Sequence, residues 1–292
     1  FPGQLGIFSD RHIESHQKLS KGIQAFGSLA VLQLHHAGMR SPTELLAEKP
    51  ICPSENIKHN ARGISLLEIE QLRADFVAAA IRAKKSGYDG VEVHGAHGYI
   101  ISQFLSNEIN KRTDRYGGSL ENRARLLFEI VEEIRAECGP YFLLGVRLSP
   151  ERFGMKLAEV KKVSKRLISE GSIDFLDISL WDVWKQPEEK KHQGSRLLAH
   201  FTKLDRKNVK LTVAGNIRSA NDVTKVLEEG VDFVSVGRSG ILHHNFPELV
   251  LNDAGFIPIK TPVSIEHLQK EGLSSSFINY MKRWDNFVKV KS

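Results

Sequence analysis

Arg147 sits inside an otherwise apolar run, FLLGVRLS. A cation buried there needs an anionic or strongly dipolar partner, because leaving it unpaired is costly. Other polar and titratable side chains end similar runs: Gln33, followed by His35 and His36; His94, followed by His97 and Tyr99; Gly215-Asn216; and Gly237-Arg238. Two glycines at successive run ends, with Arg238 beside the second, fit a phosphate cradle of backbone N–H groups. Barrel enzymes often place such a site after their last two strands. Neither glycine pair forms a P-loop or a GxGxxG fingerprint. His94 and His97 as metal ligands lack a third ligand at a suitable spacing; as satisfied polar residues they would need only local partners. The pairs His35-His36 and His243-His244 have no partner in the sequence and read as loop residues.

These residues need elements to hold them. One phrase repeats: a helical segment ends in Gly, an Asp follows, and a short β-rich run begins. The copies are Gly87-Tyr88-Asp89 before GVEVHG, Gly171-Ser172-Ile173-Asp174 before FLDIS, and Gly230-Val231-Asp232 before FVSVGR. Glycine after a helix supplies a left-handed cap. The strands read as continuous apolar runs, the pattern of strands covered on both sides by helices. Ser65 with Glu68 makes a capping box, followed by the stripe Ile69, Leu72, Phe76, Ala80 and Ala83. Further stripes are Leu127, Ile130, Val131, Ile134 and Cys138; Val160, Val163 and Leu167; and Val223, Val226 and Leu227, with Ser219 as a cap. Strands are expected near 29–34, 90–95, 142–149, 175–179, 211–216 and 233–238. Alternation of this kind implies a parallel sheet with right-handed crossovers, and ligands bind beyond the carboxyl ends of its strands. Both an open doubly wound sheet and a closed barrel satisfy it, since six strands are short of a barrel's eight.

Composition is that of an ordinary globular enzyme, with 41% hydrophobic and 26% charged residues in 292. The net charge is +6, but Lys and Arg are scattered among Asp and Glu, which argues against a nucleic-acid footprint. No run approaches the roughly 18 apolar residues of a membrane span. Cys52 and Cys138 build no disulfide framework, which fits a reducing, cytoplasmic setting.

Residues 94–123, HGAHGYIISQFLSNEINKRTDRYGGSLENR, closely resemble the signature of the Old Yellow Enzyme family of NADH:flavin oxidoreductases. The resemblance extends through LQLHHAG (32–38), GVRLSP (145–150), VAGNIRS (213–219) and FVSVGR (233–238). It implies an α/β protein, a (β/α)8 TIM barrel holding FMN, with NADH or NADPH as reductant and an activated alkene as acceptor. On that pattern Gln33 would bond the flavin pyrimidine edge and Arg147 would stabilise the charge formed on reduction. Gly215, Gly237 and Arg238 would hold the phosphate. His94 and His97 would bond a substrate carbonyl or nitro oxygen, and Tyr99 would be the proton donor. A His at position 97 resembles the thermophilic-like class.

The chain starts at Phe1, and family members carry about two further strands upstream, so the expectation is a barrel without its first two strands over 1–255 and a C-terminal helical extension over 256–292. The segment 179–195, with Trp181 and Trp184, departs from the family pattern. In the tail, Arg283-Trp284 is similar to a C-terminal Arg that reaches a neighbouring subunit's site in some relatives, which leaves a homo-oligomer open. The competing functions are a flavin reductase using a quinone or dienoyl thioester, and a flavin-free barrel fragment acting through partners.

Overall fold

A computed structural model describes residues 4–289. The first third holds α1 (Ile13–Gln24), β1 (Val31–Leu34), the short strands β2 (Ile51–Cys52) and β3 (Arg62–Gly63), α2 (Leu66–Lys85) and β4 (Gly90–Gly95). Next come α3 (Ile100–Leu105), α4 (Leu120–Cys138), β5 (Leu143–Leu148), α5 (Leu157–Glu170), β6 (Phe175–Ser179), α6 (Ala199–Thr202) and β7 (Lys210–Ala214). The last part holds α7 (Ala220–Glu228), β8 (Phe233–Ser235), α8 (Arg238–Leu242), α9 (Phe246–Asn252), α10 (Ile265–Lys270) and α11 (Ser275–Met281).

Six strands pair in parallel in the order β1-β4-β5-β6-β7-β8. The order never reverses, which excludes a doubly wound sheet and makes this a curled part of a (β/α) barrel. Among the described residues β1 and β8 are its free edges, and Val31 and Phe233 on them are 38% and 43% exposed. The six expected strands are all present: β4 and β6 keep their expected bounds, β1, β5 and β8 are shorter, and β7 lies at 210–214 instead of 211–216. β8 stops at Ser235, and Arg238 already opens α8. The small parallel pair β2–β3 was not expected; its strands have two residues each, too short for any periodicity.

The Asp of the repeated phrase ties strand starts together. Asp89 Oδ2 accepts from Ala30 N at 2.7 Å, Asp174 Oδ2 from Leu144 N at 2.8 Å, and Asp232 Oδ2 from Leu211 N at 2.9 Å. Each carboxylate, one residue before its own strand, holds the beginning of the adjacent one and satisfies an N–H that the ladder leaves over.

The helices behave as their stripes predict. The Ser65–Glu68 capping box forms, Ser219 caps α7 in a second box with Asp222, and the stripes of α2, α4 and α5 are buried. On α7 the buried residues are Ala220 and Val226, while Leu227 is 39% exposed.

The reading of strands as covered by helices on both sides is corrected. One face does pack on helices, with Val91, Val93, Leu144, Val146, Ile178 and Val213 fully buried. Alternate residues face the concave side and are polar: Gln33, Glu92, His94, Arg147, Asp177, Ser179, Thr212 and Ser235. The register sets Gln33 opposite Glu92, His94 opposite Arg147, Arg147 opposite Asp177, and Asp177 opposite Thr212. Lower down, the Phe175 ring lies across Gly145, where an added Cβ would come within 2.1 Å of it, and packs edge-on to Phe233 with centroids 6.0 Å apart. After residue 256 the chain builds its own apolar cluster from Val263, Leu268, Ile278, Met281, Phe287 and Val288 against Leu242 of α8. No helix of the described residues is long and apolar enough to cross a membrane.

Candidate active site

β4 delivers His94 from its penultimate position, and the following turn delivers His97 and Tyr99. His97 adopts a left-handed φ of 60° and Gly98 one of 71°, a reversal secured by His97 N donating to Ser149 Oγ at 3.0 Å. Arg40 Nη1 also donates to His97 O. The turn brings His97 Nδ1 to 3.1 Å from His94 Nε2. Burial, then the neighbouring His97, His35 and Arg147, lower the His94 pKa to about 2. Burial, then Arg147, Arg40 and His35, lower that of His97 to about 4. Both rings are therefore neutral at physiological pH. Two bonded neutral imidazoles leave two free nitrogens, His94 Nδ1 and His97 Nε2. Either tautomeric arrangement puts a hydrogen on one and a lone pair on the other. His94 Nδ1 is buried without a partner.

Tyr99 stands edge-on to His35, with ring centroids 4.2 Å apart, and the Arg40 guanidinium lies 5.0 Å from its ring centre. His35 thus belongs to this cluster rather than to a free loop. Burial, then His36 and Arg40, lower its pKa to about 4. His36 turns away and accepts from Gly38 N at 3.1 Å.

His97, Arg147, Gly215, Gly237 and Arg238 line one cavity of about 680 Å³ at the carboxyl ends of the strands. Trp181, Arg218, Ile241 and Trp284 line it too, while Trp184 packs on the core instead. Gln33 is apart from that cavity. Its Nε2 donates to Glu92 Oε2, and it lines a second cavity of about 590 Å³ with His35 and the segment around Phe8. Arg147 Nε donates to Ser179 Oγ at 2.8 Å and lies 3.4 Å from Asp177 Oδ2, so the buried cation has an anionic partner within the chain. Glu92 and Asp177 share this interior. Burial, then the charge of Asp177, raises Glu92 to about 7. Burial also pushes Asp177 up, but Arg147 and the Ser235 hydroxyl oppose that. Of the two carboxyls only Asp177 has a cation at ion-pair distance, so Glu92 holds the proton and Asp177 the charge.

At the cradle, a Cβ added to Gly237 would meet nothing within 4 Å, leaving room for a ligand beside its backbone. Gly215, with φ 155°, is required by a different neighbour: a Cβ there would come within 2.9 Å of the Trp181–Asp182 backbone. Arg238 is pushed below the usual arginine range by burial and by Arg218. Among the described residues neither guanidinium pairs with a carboxylate; Arg218 Nε donates only to Asn216 Oδ1, at 2.8 Å. Two unpaired cations, an open glycine backbone and the free terminal nitrogens of Arg147 fit a phosphate-bearing flavin. No group of His, Cys, Asp or Glu among the described residues is arranged to hold a metal.

The later part of the signature segment, from Arg112 to Arg123, is scaffold. Arg112 binds Asp114 at 2.5 Å and donates to the carbonyls of Pro53, at 2.8 Å, and Ile64, at 2.5 Å. Buried Arg123 holds Glu159 at 2.7 Å and also donates to Leu105 O. Asp177, Glu92, His35 and Arg218 are the site residues that sequence reasoning missed. The first two are charged residues inside otherwise apolar strands, the same signal that singled out Arg147.

Residues 1–253 match the model of the NADH:flavin oxidoreductase / NADH oxidase family. The chain is 37% identical over 263 residues to the probable NADH-dependent flavin oxidoreductase YqiG of Bacillus subtilis, covering 84% of this chain and 69% of that one. It is 31% identical to the NADH:acrylate oxidoreductase of Vibrio harveyi, covering 87% of this chain but 27% of the relative. A solved morphinone reductase variant in complex with tetrahydroNAD superposes with a TM-score of 0.74 at 28% identity, over 87% of this chain and 74% of that one. The chain belongs to the NADH:flavin oxidoreductase family, whose enzymes take FMN as cofactor and NADH or NADPH as reductant.

Proposed function

We propose that this chain binds FMN in the 680 Å³ cavity and reduces activated alkenes with NADH or NADPH. The observation that carries the reading is the meeting, at one mouth, of an Arg147 guanidinium with free terminal nitrogens and a neutral imidazole pair. Bound FMN would supply the hydride relay between the nicotinamide and the alkene β-carbon. The chain's part is to orient and to stabilise charge. Gly215, Gly237, Arg238 and Arg218 hold the phosphate, and Arg147 faces the charge that reduction creates. Gln33, held by Glu92 at the second cavity, offers its amide oxygen to the pyrimidine edge of a flavin that extends from the first cavity into the second. His94 and His97 grip a carbonyl or nitro oxygen by giving up their mutual bond, each turning an N–H toward it. Tyr99 gives its phenolic proton to the α-carbon. Acrylate, named for the Vibrio relative, is one such alkene. Quinones and dienoyl thioesters are alternative acceptors.

The purified chain should bind FMN stoichiometrically with a perturbed flavin spectrum, and NADH should bleach it in stopped flow. Re-oxidation by an enone then separates an alkene reductase from a chain that reacts with quinones alone. Failure to bind FMN would leave only the flavin-free alternative.

A further inference from the structure

The ion pair behind Arg147 is one-sided. Asp177 approaches the Nε edge, at 3.4 Å, and Ser179 accepts from the same nitrogen, so neither terminal nitrogen bonds to another described residue. Asp177 is 2% exposed, and Ser235 donates to its Oδ2 at 3.2 Å. Thr212 Oγ1 lies 3.1 Å from that hydroxyl and completes the surround on the β7–β8 side. Glu92, the other carboxyl facing this interior, is engaged by Gln33. Arg147 and the Ser235 hydroxyl favour the charged form of Asp177, which stands directly behind the one cation that faces the cavity from the strands.

We propose that Asp177 is a positioning residue for the cofactor. It holds Arg147 by its Nε edge so that the terminal nitrogens face the cavity, and its charge offsets that of Arg147, which keeps the reduction potential of bound FMN low. The proposal rests on the FMN reading above. Reduction adds negative charge to the cofactor; Arg147 favours that change, and a carboxylate just behind it opposes it. A lower potential makes the reduced cofactor a stronger hydride donor to the acceptor, at the expense of driving force from the nicotinamide.

The test is a redox titration of the FMN-loaded protein, with the affinity for oxidised FMN measured in parallel by fluorescence. Each variant is made with Glu92→Gln, so that the neighbouring carboxyl cannot take over the charge: Asp177→Asn removes the charge and keeps the shape, Asp177→Leu is the second charge-free variant should the amide not fold, and Asp177→Glu keeps the charge. In a charge-free variant, reduced FMN should be held about tenfold more tightly relative to oxidised FMN, a rise of ~30 mV for a two-electron couple. Asp177→Glu should remain near the potential of Glu92→Gln alone. A potential that is unchanged or falls, even with weakened FMN binding, would show that Asp177 only packs the interior and would overturn the proposal. A wild-type chain that binds no FMN would overturn the functional reading beneath it, a different result read before any variant is made.

Discussion

While they remain bonded to each other, His94 and His97 keep one hydrogen and one lone pair on their outer nitrogens, and of the two His97 lines the cavity. Tyr99, packed against His35, is free of that arrangement, and this makes the two roles separable. Tyr99→Phe should leave flavin reduction by NADH near wild type and slow alkene reduction by roughly 10²–10⁴-fold, with quinones spared. Stopped-flow measurement of the two half-reactions checks it, and wild-type alkene turnover would assign the proton to another donor. The titrating groups here act on stability with opposite signs. His94, His97 and His35 have folded pKa values of about 2, 4 and 4. The unfolded chain therefore takes up more protons, and their contribution is lost as pH falls below about 6.5. Glu92, at about 7 against the 4.5 of a free glutamate, binds its proton more readily when folded, so its burden grows as pH rises from 4.5 to 7. Glu92→Gln should raise the Tm relative to wild type at pH 8 and hardly at all at pH 4.5. A difference that stays constant across thermal melts in that range would show that Glu92 does not titrate as described.

At the scale of elements, the carboxylates of Asp89, Asp174 and Asp232 account for why a short phrase announced the strands so well. Asp174 also takes an ion pair from Arg135 at 2.6 Å, so Asp174→Ala removes acceptors from both the β5 start and a guanidinium. We expect a loss of roughly 1–3 kcal/mol, read from the urea midpoint without a change in m. The same local chemistry explains which parts of the molecule the sequence made legible. Strand order, the capping boxes of α2 and α7, and the position of Arg147 follow from short-range pattern. The β2–β3 pair does not, because Arg112 gathers that loop through carbonyls 48 and 59 residues away. His35 read as loop because its partner Tyr99 is distant in sequence, and Arg218 went unmarked because its charge matters only beside Arg238. Asp177 and Glu92 were within reach, had the strands been read as alternating rather than continuously apolar.

Over the whole molecule, the tail closes on the same cavity that the strands open. Trp284, packed edge-on to Phe287 of the C-terminal cluster with ring centroids 5.3 Å apart, lines it together with Trp181 from the loop after β6. Addition of FMN should quench tryptophan fluorescence, and Trp284→Phe should remove part of that change without abolishing binding. An undiminished amplitude would place the tail away from the bound cofactor. At the other end of the sheet, Phe175 fills the space that a side chain at position 145 would need. The two residues, on adjacent strands, draw on one allotment of volume, so the fitness of either depends on the identity of the other. Gly145→Ala should destabilise the protein on its own, and less so in a Phe175→Leu background, where the shorter side chain retreats. A double-mutant cycle should return a coupling of roughly 0.5–3 kcal/mol. Such epistasis would make the pair change together or not at all as sequences diverge.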